Sequence, residues 1–533
     1  MEALPSFGII LVSAIFFMCL AHSNIVISKV PQSVPWVGLR KEVLSKTRAC
    51  IREMTAGLRT LRIGYNQFNR NGLPCVIPDP GFRPIVMVPQ EHLVWVSDKP
   101  DNVLSARMTQ VGRFAINYLC PGLDFDHDAF MMGAVRKDVT RNLGRMQPAI
   151  IEDIRNTIDN AMGLDRESWR EVCITKAMED VVLRSTSRVL VGSPLCHNEE
   201  YLQYTIAFAT WLGGGAILVG QYMPWMMKPF FGYLGALPVY YYKQKALKYL
   251  LPVIRERISN MKHKRADPTF EFEEPKDLIT WMTQAVLDSP ETRNSPPEFL
   301  GTRLLFFTLG AVHTTIMTAT NTLLDLVSSD PDARFWEQLR EEAAGVFNMA
   351  DDWTNPASLP RLPLADSTIR ESLRENPMLT RVILREVMPK DGVMLPSGHH
   401  FPKGAWIGAG TVDLHHDDRF YPEPGKYDPF RFATKYDEKP AGVNRETLTG
   451  KASIYRKNQG LATVSDIFLA FGYGKHACPG RWLVAHQLKL MLAYVTLNYD
   501  IQYMAQRPVN QVFGDSIIPS PTATMMVRRR KHT

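Results

Sequence analysis

Phe471-Gly472-Tyr473-Gly474-Lys475-His476-Ala477-Cys478-Pro479-Gly480-Arg481 is the stretch whose reading decides the fold. It holds one cysteine with glycines at fixed offsets, and an apolar, helix-periodic run from Trp482 to Leu497 follows at once. The pattern predicts a loop that ends in a thiol at a helix N-terminus. Free N–H groups and the helix dipole there favour a thiolate. Gly474 and Gly480 let the backbone pass close to a flat partner, and glycine also supplies a positive φ for the turn. A thiolate held in this way is a fit axial ligand for haem iron. A structural cysteine in a glycine-rich turn is the bland alternative. The coincidence of Phe471, Gly474, Cys478 and Gly480, with His476 and Arg481 at hand for anionic groups, favours haem.

The loop resembles the haem-binding loop of the cytochrome P450 haem-thiolate monooxygenases. The wording GKHACPGRW is most similar to fungal, membrane-bound members. The resemblance implies a mainly α fold with a smaller β part, behind an N-terminal transmembrane anchor. It implies haem b with its iron ligated by Cys478, and Phe471, Gly474, His476 and Gly480 at the cofactor.

The chain has 533 residues, 45% of them apolar, and no internal repeat, Gly/Ser-rich linker or charge-block linker divides it. One large, mostly helical catalytic domain is the simplest organisation. The formal charge of +7 is modest, and Lys and Arg gather at both ends of the soluble part rather than in a stripe. That fits an acidic partner or a membrane surface and argues against nucleic acid. The seven cysteines (19, 50, 75, 120, 173, 196, 478) are odd in number and far apart, with no Cys-x-x-Cys. A zinc site or disulfide framework is not expected, and a reducing, cytosol-facing compartment is.

Phe7 to Ala21 carries no charge, and apolar character continues to Ile27. A bilayer span needs about 20 such residues. The expected organisation is a lumenal N-terminus at 1–6, an anchor at 7–28, a linker and first helix at 29–60, and the catalytic domain at 61–533. A cleaved signal peptide is the rival, but it lacks a basic leading region and a clear cleavage site. Only Glu2 precedes the span, while Lys29, Arg40, Lys41, Lys46 and Arg48 follow it. The positive-inside rule leaves the domain in the cytosol. With the resemblance, this gives a single-pass protein of the endoplasmic reticulum membrane.

Cys75 to Val96 reads as strands, in short apolar runs bounded by Pro and Gly. Asp126 to Leu143 reads as a helix containing Arg136. The resemblance makes Arg136 a haem propionate partner, although Met132 stands where the family usually has tryptophan. Residues 149–191 alternate at helical spacing and read as scaffold helices. Tyr201 to Tyr242 is apolar and aromatic, and its glycines and prolines argue against a second span. A pair of helices covering a substrate entrance and dipping into the membrane interface is the preferred reading.

Ser295-Pro296-Pro297-Glu298 has the spacing of a capping box. It opens a long helix to Val327 with Gly310-Ala311-Val312-His313-Thr314-Thr315 at its centre. Thr314 is placed to bond its i−4 carbonyl, that of Gly310, and open the ladder locally. The segment resembles the family's oxygen-activation site. Thr314 matches the usual threonine, Ala311 replaces a glycine, and His313 replaces the usual acid. Histidine relays protons near neutral pH.

Glu371 and Arg374 lie one turn apart on a helix at Leu364 to Arg374. With Arg431 they resemble the family's buried Glu–Arg–Arg network, which fixes the segment carrying Cys478. Thr380 to Met388 and Gly398 to Gly408 read as strands, and Arg385 is a second propionate candidate. Tyr436 to Val464 reads as a polar surface meander.

The resemblance implies a monooxygenase that inserts one oxygen atom from O2 into a hydrophobic small molecule. Its electrons would come from NADPH through a partner reductase, with cytochrome b5 a further candidate partner, because no flavin or nicotinamide motif is present. A terpenoid, meroterpenoid or indole-type intermediate of fungal secondary metabolism is the expected substrate. Two rival functions are a haem-thiolate enzyme that rearranges or dehydrates a peroxide without O2, and a membrane haem-binding protein without turnover.

Overall fold

The computed structural model describes residues 30–31, 33–123, 132–433 and 460–531. The expected anchor at 7–28, the start of the Asp126–Leu143 helix and most of the Tyr436–Val464 meander lie outside the described residues. Helices make up most of what is described, and the strands form a small five-stranded sheet and three minor ones.

Four scaffold helices enclose the core: Thr140–Met162, Ile174–Val191, Phe335–Val346 and Arg481–Asn498. The last is buried along nearly its whole length, from Leu483 to Thr496. Its apolar residues join Val312, Ile316, Phe471 and Leu483 in one large buried cluster, against which Cys478 packs. The cysteine loop and the centre of the long helix are therefore walls of the same core.

The five-stranded sheet runs Cys75–Ile77, Ile85–Met87, Trp406–Gly410, Arg381–Val387, Leu104–Ser105. Within the Cys75–Val96 region only two short runs are strands. Gln90–His92 and Leu93–Asp98 are helical turns, because the apolar run ends at Pro89. Burial alternates along Arg381–Val387, so Arg381, Ile383, Arg385 and Val387 share the buried face. The register slips between Val382 and Arg385, where Ile383 takes φ +55°. Such a bulge re-aims the residues that follow it, here Arg385.

The long helix does not start with a side-chain cap. Pro296 is the N-cap, and Glu298 pairs with Arg255 at 3.2 Å instead of closing a capping box with Ser295. The helix runs as Pro297–Thr308, a wide π turn at Leu309–His313, and Thr314–Val327.

The Tyr201–Tyr242 region is a helix pair, but its glycines do not break it. Glu199–Gly215 continues as a π turn through Tyr222, and the chain turns only at Met223–Pro224. A Cβ on Gly215 would lie 3.0 Å from Leu119, and one on Gly220 would lie 2.0 Å from the Arg113 carbonyl oxygen. These glycines serve close packing. The second helix, Lys228–Ala266, passes through Pro238 and Pro252 and extends well beyond Tyr242. Glu199–Tyr222 and Pro297–Val327 are both long and apolar enough to cross a membrane by length and composition, but the second is the buried core helix.

Candidate haem-thiolate site

Cys478 sits at the end of a tight loop. Its N–H donates to the Phe471 carbonyl at 2.8 Å, closing the loop on itself. Gly472 and Gly474 take φ +69° and +68°, which side-chain-bearing residues rarely adopt. A Cβ on Gly474 would also meet the Ser97 side chain at 2.8 Å. Gly480 is the N-cap of helix Arg481–Asn498, and a Cβ there would meet no protein atom within 4 Å. Protein packing alone does not require glycine at 480, whereas a flat group lying over the loop does.

Burial is the main influence on the Cys478 thiol and pushes its pKa up. The N–H groups of Gly480 and Arg481, and the charges of Arg481 and Arg136, pull it down without cancelling that rise. The helix start by itself therefore does not ionise the thiol. A buried soft donor in this position suits a metal ion, whose charge replaces the lost solvation.

Basic groups converge on the same loop. Arg136 Nη2 donates to the Lys475 carbonyl at 2.9 Å. Arg385 is 4% exposed, donates to its neighbour's carbonyl, Leu384 O, at 2.8 Å, and leaves a buried Nε without a partner. Burial pushes its pKa down to about 10, with the Asp101 carboxylate pulling the other way. His476 Nε2 lies 3.4 Å from Asp101 Oδ1. Its pKa is lowered by burial first and by the Arg385 charge second. A buried guanidinium with donors to spare is costly unless an anion meets it. Haem fits this set: a thiol for the iron, open space over Gly480, and cationic donors for two propionates.

Arg481 is partly committed to the loop itself. Its guanidinium donates to the carbonyls of Cys478 at 2.8 Å and Ala462 at 3.1 Å, bracing the loop. The Lys475 ammonium donates to the Lys99 carbonyl at 2.7 Å.

On the long helix, Thr314 Oγ1 donates to the Gly310 carbonyl at 2.6 Å, and Thr315 Oγ1 donates to that of Ala311 at 2.7 Å. Two hydroxyls thus compete for carbonyls that an α ladder would use. The ladder widens into the π turn at this point, as π turns do at functional sites. A Cβ on Gly310 would meet nothing within 4 Å, so the groove beside Thr314 is open. Ala311 lies in the same π turn. His313 Nε2 lies 3.1 Å from Thr210 Oγ1 on the helix that covers the core, and burial pushes its pKa down. Thr210 carries no motif and escaped the sequence reading.

Glu371, Arg374 and Arg431 come together as expected. The side chains of Glu371 and Arg374 are fully buried. Arg374 Nε and Nη2 meet the two carboxylate oxygens at 2.8 and 2.9 Å, and Arg431 Nε lies 3.0 and 3.1 Å from the same pair. Arg374 Nη2 also meets the Glu375 carboxylate, and further donors are used on backbone: Arg374 Nη1 on His415 O and Pro424 O, and Arg431 on Pro422 O and Lys426 O.

Comparison with known proteins agrees with this geometry. The family model for Cytochrome P450 matches residues 124–527. A cytochrome P450 monooxygenase, polB, of Polytolypa hystricis is 39% identical, covering 94% of each chain. Another, nodZ, of Hypoxylon pulicicidum is 36% identical over 88% of this chain and 87% of its own. The solved structure of retinoic-acid-bound cyanobacterial CYP120A1 superposes with a TM-score of 0.60 at 15% identity, over 90% of this chain and 96% of its own. The chain belongs to the cytochrome P450 family, and the fold is the cytochrome P450 fold. It is a haem-dependent monooxygenase by family.

Proposed function

We propose that the protein inserts one oxygen atom from O2 into a hydrophobic small molecule of fungal secondary metabolism, of terpenoid, meroterpenoid or indole type. The observation that carries the site assignment is the position of Cys478: half-buried, closed on Phe471, under the open face at Gly480, with Arg136, Arg385 and His476 gathered at its loop. Cys478 would ligate the haem iron, and Arg136, Arg385 and His476 would hold its propionates. Bound haem supplies the activation of O2 and the transfer of one oxygen atom, with the other leaving as water. Thr314 holds water in the groove at Gly310, and His313 handles protons that reach it. Glu371, Arg374 and Arg431 keep the cysteine loop in register.

NADPH, through a membrane reductase and with cytochrome b5 as a further donor, supplies the electrons. The anchor at 7–28 leaves residues 61–533 on the cytosolic face of the endoplasmic reticulum. The exposed aromatic and aliphatic residues between Trp211 and Tyr241 support contact of this face with lipid. Deleting the gene and identifying the metabolite that accumulates names the substrate. That metabolite, added to purified enzyme with NADPH, reductase and O2, is expected to gain one oxygen atom. Conversion without O2 or NADPH would instead support a peroxide-rearranging enzyme, and no conversion of any accumulated compound would support a binding protein.

A further inference from the structure

His313 does not stand alone on the long helix. Its Nε2 lies 3.1 Å from the hydroxyl of Thr210, on the covering helix Glu199–Gly215. That hydroxyl already donates to the Ile206 carbonyl, one turn back, at 2.8 Å. A threonine hydroxyl carries one proton and two lone pairs. With its proton committed to Ile206, Thr210 accepts from the ring, so Nε2 carries the ring hydrogen. In a neutral imidazole the other nitrogen is then a bare acceptor. Nδ1 of His313 is buried and has no partner among the described residues. Burial pushes the ring's pKa down and so favours its neutral form, with the Glu179 carboxylate of helix Ile174–Val191 pulling the other way.

We propose that Thr210 is a positioning residue for proton handling at the oxygen segment, because it selects the Nε2–H tautomer of His313 and leaves Nδ1 as the ring's single basic nitrogen. This rests on the reading of His313 as a relay. The proton balance is simple. A proton taken up at Nδ1 makes the imidazolium. Release of that proton from Nδ1 to the next acceptor, with the Nε2 hydrogen held on Thr210 throughout, completes one transfer with no change in electrons. The ring then returns to the Nε2–H form, which the Thr210 acceptor favours. Because Thr210 belongs to the covering helix, the selection holds while that helix is seated on the core helix. Gly213, one turn on, has no side chain to hold it away from Leu309.

The test uses the haem-loaded enzyme labelled with 15N at histidine. The His313 signals are assigned by their loss in His313→Ala. The parent and Thr210→Ser are expected to show the Nε2–H tautomer, and Thr210→Val to shift toward the Nδ1–H form. In parallel, product formed per NADPH is expected to fall several-fold in Thr210→Val and to stay near the parent in Thr210→Ser. Adding Thr210→Val to His313→Ala is expected to change nothing further. A parent ring in the Nδ1–H form, or a tautomer that ignores Thr210→Val, overturns the proposal alone. A tautomer that responds while His313→Ala stays fully coupled overturns the relay reading, and the role given to Thr210 falls with it.

Discussion

The main-chain N–H of Leu469 donates to Nε2 of His415 at 2.8 Å. The carbonyl of the same histidine accepts from Arg374 Nη1, also at 2.8 Å. Leu469 lies two residues before Phe471, whose carbonyl holds the N–H of Cys478. One histidine, through its ring on one side and its main-chain carbonyl on the other, thus joins the buried Glu371–Arg374 pair to the cysteine loop. Removing one partner of a buried ion pair costs about 3–5 kcal/mol, because it strands the other charge. Glu371→Gln and Arg374→Met are expected to give protein with little haem and a much lower thermal midpoint. Arg431→Ala is expected to be milder, since its side chain reaches the edge of the network at 12% exposure. Haem content per protein checks this; parent-like loading in Glu371→Gln would remove the lock from the account.

His415 also sets a pH dependence. Burial, then the neighbouring His416 and Arg374 charges, push its pKa from 6.5 down to about 3. Between those values the unfolded chain binds a proton that the folded chain refuses. Stability is therefore full above about pH 6.5 and falls as the pH drops toward about 3. His486, pushed down to about 4 by burial, acts in the same direction. His415→Gln keeps an acceptor for Leu469 and removes the titration. The thermal midpoint of this variant is expected to fall less steeply on acidification than that of the parent. Parallel slopes would show that other groups govern acid stability.

Much of this site is legible in the chain because its chemistry is local. Cys478 and its glycines, Glu371 with Arg374, and Thr314 with Gly310 are neighbours in sequence, so spacing alone brings them together. What spacing could not show is set by distant partners. Thr210 meets His313 across 103 positions. Gly215 and Gly220 read as breakers, but they sit inside a continuous helix because Leu119 and Arg113 lie where their side chains would be. The π turn at Leu309–His313 coincides with the back-bonding hydroxyls of Thr314 and Thr315, a combination that no single motif records. At Cys478 the N–H groups of the helix start are visible in the sequence, whereas the cost of burial, which is the larger effect, is set by residues packed from elsewhere in the chain.

The ligand assignment has a direct spectral test. The reduced protein with carbon monoxide is expected to show the red-shifted band that names the family, and Cys478→Ala is expected to abolish it. Single changes at Cys50, Cys75, Cys120, Cys173 or Cys196 are expected to leave it. Burial pushes the Cys50 and Cys75 thiols up to about 12 and Cys196 up to about 11, so these thiols stay protonated and inert. A Cys478→Ala protein that kept the band would end the haem-thiolate reading.

The covering helices predict membrane behaviour. Phe230 is 70% exposed and Leu237 64%, at helical spacing with exposed Tyr233 and Tyr240 on Lys228–Ala266; Trp225, just before that helix, is 57% exposed, and Trp211 on Glu199–Gly215 is exposed as well. So large an apolar face is unusual on a protein surrounded only by water. Protein lacking residues 1–28 is expected to sediment in part with vesicles, and Trp225→Glu with Leu237→Glu to release it. If the truncated protein stays wholly in the supernatant with vesicles present, this face is not a lipid contact.

Thr314 supplies the last prediction. Its hydroxyl proton is committed to the Gly310 carbonyl at 2.6 Å, which leaves the oxygen's lone pairs to accept from a water in the open groove. Splitting O2 requires two protons at one oxygen atom, and a methyl group cannot order the water that brings them. Thr314→Ala is expected to load haem and bind substrate as the parent does. It is expected to consume NADPH while releasing hydrogen peroxide, so that product per NADPH falls by about a hundredfold, the lower end of the range for a lost proton-transfer group. His313→Ala is expected to show the same defect in milder form, and His313→Asp, which restores the usual family acid, to keep substantial coupling. Peroxide and product measured together against NADPH decide the matter. If His313→Ala couples as well as the parent while Thr314→Ala does not, the histidine only packs, and protons reach the groove through Thr314 and water alone.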